Sequence, residues 1–174
     1  ISGVTTLTLS DVGGTATLSA DVDVTTLTVG NTVLNVAFTG NGSSVASSFT
    51  PDNDGTFIFG ASGGTQTYNG GLNTASVDGT VTLNGTIASS DDALTFGAVT
   101  LGSATTVDTN ASSDAADITI AAITGGSNNL TLSTGYNLTG ADNVPYTHLT
   151  LPTIPYHTNP VLQVTATNKR NFMK

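Results

Sequence analysis

One stretch that occurs twice constrains this chain most. Leu94 to Ser103 reads LTFGAVTLGS, and 24 residues further on Ile118 to Ser127 reads ITIAAITGGS. Thr95/Thr119, Ala98/Ala122, Thr100/Thr124, Gly102/Gly126 and Ser103/Ser127 are identical, while Leu94/Ile118, Phe96/Ile120 and Val99/Ile123 exchange one large apolar side chain for another. A repeat of this length marks a solenoid, in which each unit buries its apolar face only against its neighbours. Within both copies the inward phase breaks at the same place. Leu94 and Phe96 share a face, but the next large apolar residue, Val99, is three positions on, and Ile120 and Ile123 do the same. A pleated strand reverses faces at every residue, so the odd step predicts a corner at Gly97-Ala98 and at Ala121-Ala122.

The rest of the chain carries the same signature with a looser period. Val4 to Leu9, Thr15 to Leu18, Val24 to Val29 and Val33 to Phe38 alternate apolar residues with Thr or small ones, the pattern of half-buried strands. No segment has a 3.6-residue apolar period long enough for a helix. Asn41-Gly42, Asp54-Gly55, Asn69-Gly70, Asp78-Gly79 and Asn84-Gly85 are turn dipeptides that tolerate positive φ. Gly42 to Asp54 is the longest polar interruption and reads as a loop bulging from one corner. Phe57 to Val81, like Leu94 to Ile118, spans 24 residues, which sets an expected rung of about 24. Roughly six rungs at about 4.8 Å make a rod about 30 Å long.

Two units are expected: a β-solenoid segment over 1–142 and a Pro-rich tail over 143–174. All 20 Gly lie at or before Gly140, whereas Pro145, Pro152, Pro155, Pro160, both His and every Lys and Arg lie beyond 143. Pro at this density does not join a central ladder, so the tail reads as disordered or non-native. Tyr146 to Thr153, YTHLTLPT, resembles the conceptual translation of a sequencing-library transposon adapter.

Charge excludes several functions. All 12 acidic residues are Asp, and Lys169, Arg170 and Lys174 are the only Lys or Arg. Nucleic-acid binding, which depends on cations that neutralise phosphates, is not expected, nor is attachment to an anionic membrane surface. Nothing approaches 18 consecutive apolar residues, so no membrane-spanning helix is expected. Zero Cys removes disulfides and thiolate metal sites. The chain starts at Ile1 without a basic or apolar leader, as an internal segment of a longer protein would.

Residues that could carry chemistry are few. Asp91-Asp92 is the one adjacent carboxylate pair, and it sits in a Ser89-Ser90 turn context. A β-helix glycosidase would need paired carboxylates, but its usual basic partners are missing from 1–142. Asp52-Asn53-Asp54-Gly55 has the look of a calcium loop, with Asp52 and Asp54 as candidate ligands, although no Glu closes it. His148 and His157 stand nine apart in the tail. No catalytic residue and no cofactor is assigned. The Thr-x-Thr pairs (Thr6/Thr8, Thr15/Thr17, Thr26/Thr28, Thr65/Thr67, Thr80/Thr82) would set hydroxyls and methyls on one face, as ice-binding solenoids do, but they recur at no fixed period.

Gly64 to Gly70 (GTQTYNG), Val81 to Gly85 (VTLNG), Leu94 to Val99 (LTFGAV) and Asn129 to Gly135 (NLTLSTG) resemble the repeat regions of filamentous-haemagglutinin-like and autotransporter-type adhesins. The resemblance implies an all-β, right-handed parallel β-helix forming the stalk of a large exported surface protein, with no fixed set of functional residues. A β-sandwich array is the alternative fold. The functional expectation is a non-catalytic structural stalk and adhesive surface, secreted or on the cell exterior. Its expected partners are surface glycans or proteins of a host or neighbouring cell, or further copies of itself. A β-helix carbohydrate-active enzyme and an ice-binding solenoid are the alternatives.

Ile120→Asp tests the inward phase. Burying an unpaired charge costs several kcal/mol, so thermal unfolding should show the rung and its neighbours lost; an unchanged melting temperature would put Ile120 on the surface.

Overall fold

The computed structural model describes residues 1–109 and 116–134, together with the backbone of two short strands further on. Among the described residues there is no helix, and every strand pairing is parallel. A β-sandwich requires antiparallel partners joined by hairpins or Greek keys, so that alternative does not hold. The chain winds as a β-solenoid of about six turns.

Each turn has three sides. Coil one contributes β1 (Thr6–Leu9), β2 (Thr15–Leu18) and β3 (Asp23–Val24), and coil two β4 (Thr26–Val29), β5 (Asn35–Phe38) and β6 (Ser44–Val45). Coil three passes through Phe49 to β7 (Phe57–Phe59) and β8 (Thr65–Tyr68), and coil four through β9 (Leu72–Asn73) and β10 (Val81–Ala88). Coil five is one continuous strand, β11 (Leu94–Asp108), which serves all three sides. Coil six holds β12 (Ile118–Thr124) and β13 (Leu130–Ser133). Beyond them β14 (Leu149–Thr150) and β15 (Val164–Thr167) pair with β12 and β13, so two stretches of the Pro-rich tail extend the ladders. The other tail residues, with His148 and His157, lie outside the described residues.

The two copies of the repeat lie directly on one another. Leu94 opposes Ile118, Phe96 opposes Ile120 and Val99 opposes Ile123. Burial alternates along Leu94 and Phe96, fails at Gly97-Ala98, and resumes at Val99 and Leu101. The expected corner is therefore present, and the strand bends through it without losing its neighbours. The 24-residue spacing holds for the pairs from which it was read, Phe57/Val81 and Leu94/Ile118. Elsewhere the step runs from 18 residues (Val81 to Val99) to 25 (Thr105 to Leu130), and the average is roughly 21. Corners of unequal length make the difference. At one of them Gly85, with φ of 65°, lies so close to coil three that a Cβ would stand 2.4 Å from Gly64 O. Only Gly fits there.

Gly42 to Asp54 is not a bulging loop. Val45 and Phe49 are fully buried and Ser44–Val45 pairs on both sides, with β3 and β8. Polar residues of this coil face inward because backbone groups receive them. Val22 N donates to Ser43 Oγ at 3.1 Å, and Asn53 Nδ2 donates to the carbonyls of Gly55 and Thr56 at 2.9 and 3.2 Å.

Coil three also fills the core with rings. Phe49, Phe57, Phe59 and Tyr68 come from three sides, with centroids 4.0–6.5 Å apart in stacked and edge-on pairs. Such pairs add about 0.5–1.5 kcal/mol each beyond area burial. Buried among them, Gln66 Nε2 donates to Phe38 O at 2.7 Å and Gly40 O at 3.3 Å, and Tyr68 Oη donates to Gln66 Oε1 at 3.0 Å. Polarity inside this coil is thus matched, which removes its desolvation cost.

Burial pushes the Tyr68 phenol well above its ordinary 10.0. Above pH 10 the unfolded chain releases this proton and the folded chain keeps it, so stability falls as pH rises, by about 1.4 kcal/mol per unit until the folded phenol also ionises. Tyr68→Phe should abolish this alkaline slope in denaturant titrations. It should also cost about 1–3 kcal/mol at neutral pH by stranding Gln66 Oε1. An alkaline slope that survives the substitution would mean that the ring is accessible.

Candidate functional site

The corner between the first and second sides changes width along the rod, and a groove results. Coils five and six turn it with small residues alone, Gly97-Ala98 and Ala121-Ala122. Coil four takes a longer path from Asn73 to Val81. Ala75 N donates to Asn73 Oδ1 at 3.0 Å, Val77 N donates to Thr74 O at 3.2 Å, and buried Thr74 receives Gly97 N on its Oγ1 at 3.3 Å. This loop overhangs the tight corners above it.

The resulting groove has a volume of about 370 Å³, at the low end of the small-ligand range of about 300–1,000 Å³. Asp78, Gly79 and Thr80 form its wall, Ala98 and Ala122 its methyl floor over Val99, and Thr100 and Thr124 its hydroxyl side. Thr100 and Thr124 are register partners, as are Ala98 and Ala122. Beneath the wall, Gly79 rests on Gly55 so closely that a Cβ would stand 2.5 Å from Gly55 O. Asp78 N donates to Asn53 O at 3.2 Å. Asp54-Gly55 and Asp78-Gly79 are thus stacked on neighbouring rungs. A second open cavity, about 440 Å³, lies at the N-terminal end beside Val4, Asp23 and Val24.

The remaining sequence candidates are dispersed. Asp52 and Asp54 are exposed and point outward on either side of Asn53, which is fully buried. The backbone here is extended and hydrogen-bonded to coil two, with Asp52 N donating to Val29 O and Asp54 N to Val33 O; the loop does not wrap around a central ion. Among the described residues no group of three or more His, Cys, Asp or Glu is placed to hold a metal. Asp91-Asp92 occupies the turn from coil four to coil five, where Ser89 Oγ donates to Asp92 O and Ser90 Oγ to Asn69 O. No described Asp is buried, whereas a glycosidase acid needs an environment that keeps its carboxyl protonated.

Sequence reading located the tight corners but not the groove, because a groove depends on how corners of different coils compare. It also missed the longest hydroxyl column. Thr65, Thr86, Thr106 and Thr131 stand in register on the third side, although their sequence separations are 21, 20 and 25 residues. The column two positions along reads Thr67, Ala88, Asp108 and Ser133, so the hydroxyls form a single file. Comparison with protein-family models, curated proteins and solved structures finds no match.

Proposed function

We propose that this solenoid is a structural stalk with an adhesive surface, part of a large exported bacterial surface protein. The observation that carries the reading is the outward composition of a stacked rod. Successive coils present Thr, Ser, Asn and Ala columns in register, with one shallow groove and no buried carboxylate among the described residues. Such a surface suits repeated shallow contacts with glycans or proteins of another cell. Self-association is supported at the other end of the rod. Leu7, Leu9 and Leu18 of coil one are only half-buried, although the residues above them, Leu27, Val29 and Phe38, are buried. An edge of that kind pairs with further β-structure. No helix among the described residues is long and apolar enough to cross a membrane.

Ice binding gains the Thr65–Thr131 column, but the neighbouring column contains Ala88 and Asp108, so a two-dimensional hydroxyl lattice is missing.

Adhesion of the purified chain to immobilised cell-surface glycans and proteins tests the proposal. Retention that outlasts washing and rises with the number of linked copies is expected, as avidity requires. Turnover of a glycan abolished by Asp91→Asn would overturn it in favour of an enzyme, and arrested ice growth would overturn it in favour of ice binding.

A further inference from the structure

We propose that the groove across coils four to six binds a glycan strand bearing protonated amino sugars; this rests on the adhesive reading and names its ligand. Two independent features converge there. One is the cleft itself, about 370 Å³, with a floor of Ala98 and Ala122 methyls between the hydroxyls of Thr80 on one side and Thr100 and Thr124 on the other. The other is the stacking of Asp54-Gly55 beneath Asp78-Gly79.

Stacking on adjacent rungs places the two Asp backbones roughly 4.8 Å apart, and both residues are exposed. Two carboxylates at that spacing repel unless a cation lies between or beside them. No Lys or Arg occurs before Lys169, so the solenoid supplies no cation of its own. A ligand ammonium relieves the repulsion, while sulfated, phosphorylated or uronic-acid glycans are repelled by the same charge.

The rest of the groove selects a sugar over a peptide. Backbone N–H and C=O groups here are consumed by the parallel ladder. An extended peptide, which gains affinity by main-chain pairing at a sheet edge, would find no such partners on this face. A pyranose offers hydroxyls to Thr80, Thr100 and Thr124, and its C–H face to the two Ala methyls.

Calorimetric titration of the full chain with short glucosamine oligomers, and with the same oligomers N-acetylated, tests the assignment. Glucosamine oligomers should bind, more weakly as salt rises, and N-acetylation should weaken them about tenfold or more, or 1.4 kcal/mol. Asp78→Asn should produce a similar loss. Ala98→Leu, which fills the floor from an exposed position, should abolish binding with the melting temperature retained, and Asp11→Asn at the coil-one corner should change nothing. No binding, equal affinity for the N-acetylated oligomers, an unaffected Ala98→Leu variant or equal affinity for a Lys-rich peptide would each overturn the proposal. Adhesion to cells that persists in Asp78→Asn and Ala98→Leu would leave the adhesive reading standing while removing this ligand.

Discussion

Everything in this molecule depends on the in-register parallel ladder between successive coils. A strand paired only to the coils on either side must place its side chains above and below theirs, so each position becomes a column. Inward columns are apolar: Leu72, Leu94 and Ile118 on one side, Val81, Val99 and Ile123 on the next, Ile87, Val107 and Leu132 on the third. A buried side chain of this kind is stabilised by about 1.5–3 kcal/mol, but only while the coil on each side is present. Cooperativity therefore runs along the rod, and coil one, covered on one face only, holds the half-exposed leucines.

The interior is not uniform. Coil three replaces aliphatic packing with four rings and an internal Gln–Tyr hydrogen bond, which lets it tolerate the polar stretch before Phe57. That also explains why Gly42 to Asp54 misleads as a sequence. Apolar periodicity is the signal for a strand, and here every second inward position is Ser43, Val45 or a single Phe49, with Asn53 held by carbonyls. Hydrogen bonds to partners about 20 residues away substitute for apolar contacts, and no local pattern reveals them.

Where neighbouring coils are similar, sequence and structure agree. The repeat of Leu94 to Ser103 in Ile118 to Ser127 gives the stacking, the phase break and the corner, because both copies solve the same geometric problem with the same residues. Where coils differ in length, as between Leu83/Gly85 and Leu101/Thr105, the columns cannot be counted from a fixed period. The Thr65–Thr131 file and the stacked Asp-Gly dipeptides lie beyond that point. Function in such a rod belongs to what unequal corners create on the outside, and the core that makes the repeat visible takes no part in it.

The register itself is open to direct measurement, since the chain has no native Cys to interfere. Thr86 and Thr106 oppose one another, as do Thr106 and Thr131, at roughly one strand spacing, about 4.8 Å. Cys pairs introduced at Thr86/Thr106 and at Thr106/Thr131 should each be bridged within one molecule by a short bifunctional thiol reagent under native conditions, and not in denaturant. Failure of both pairs to bridge, with efficient bridging of a Thr86/Thr131 pair two rungs apart, would contradict the stacked parallel coil.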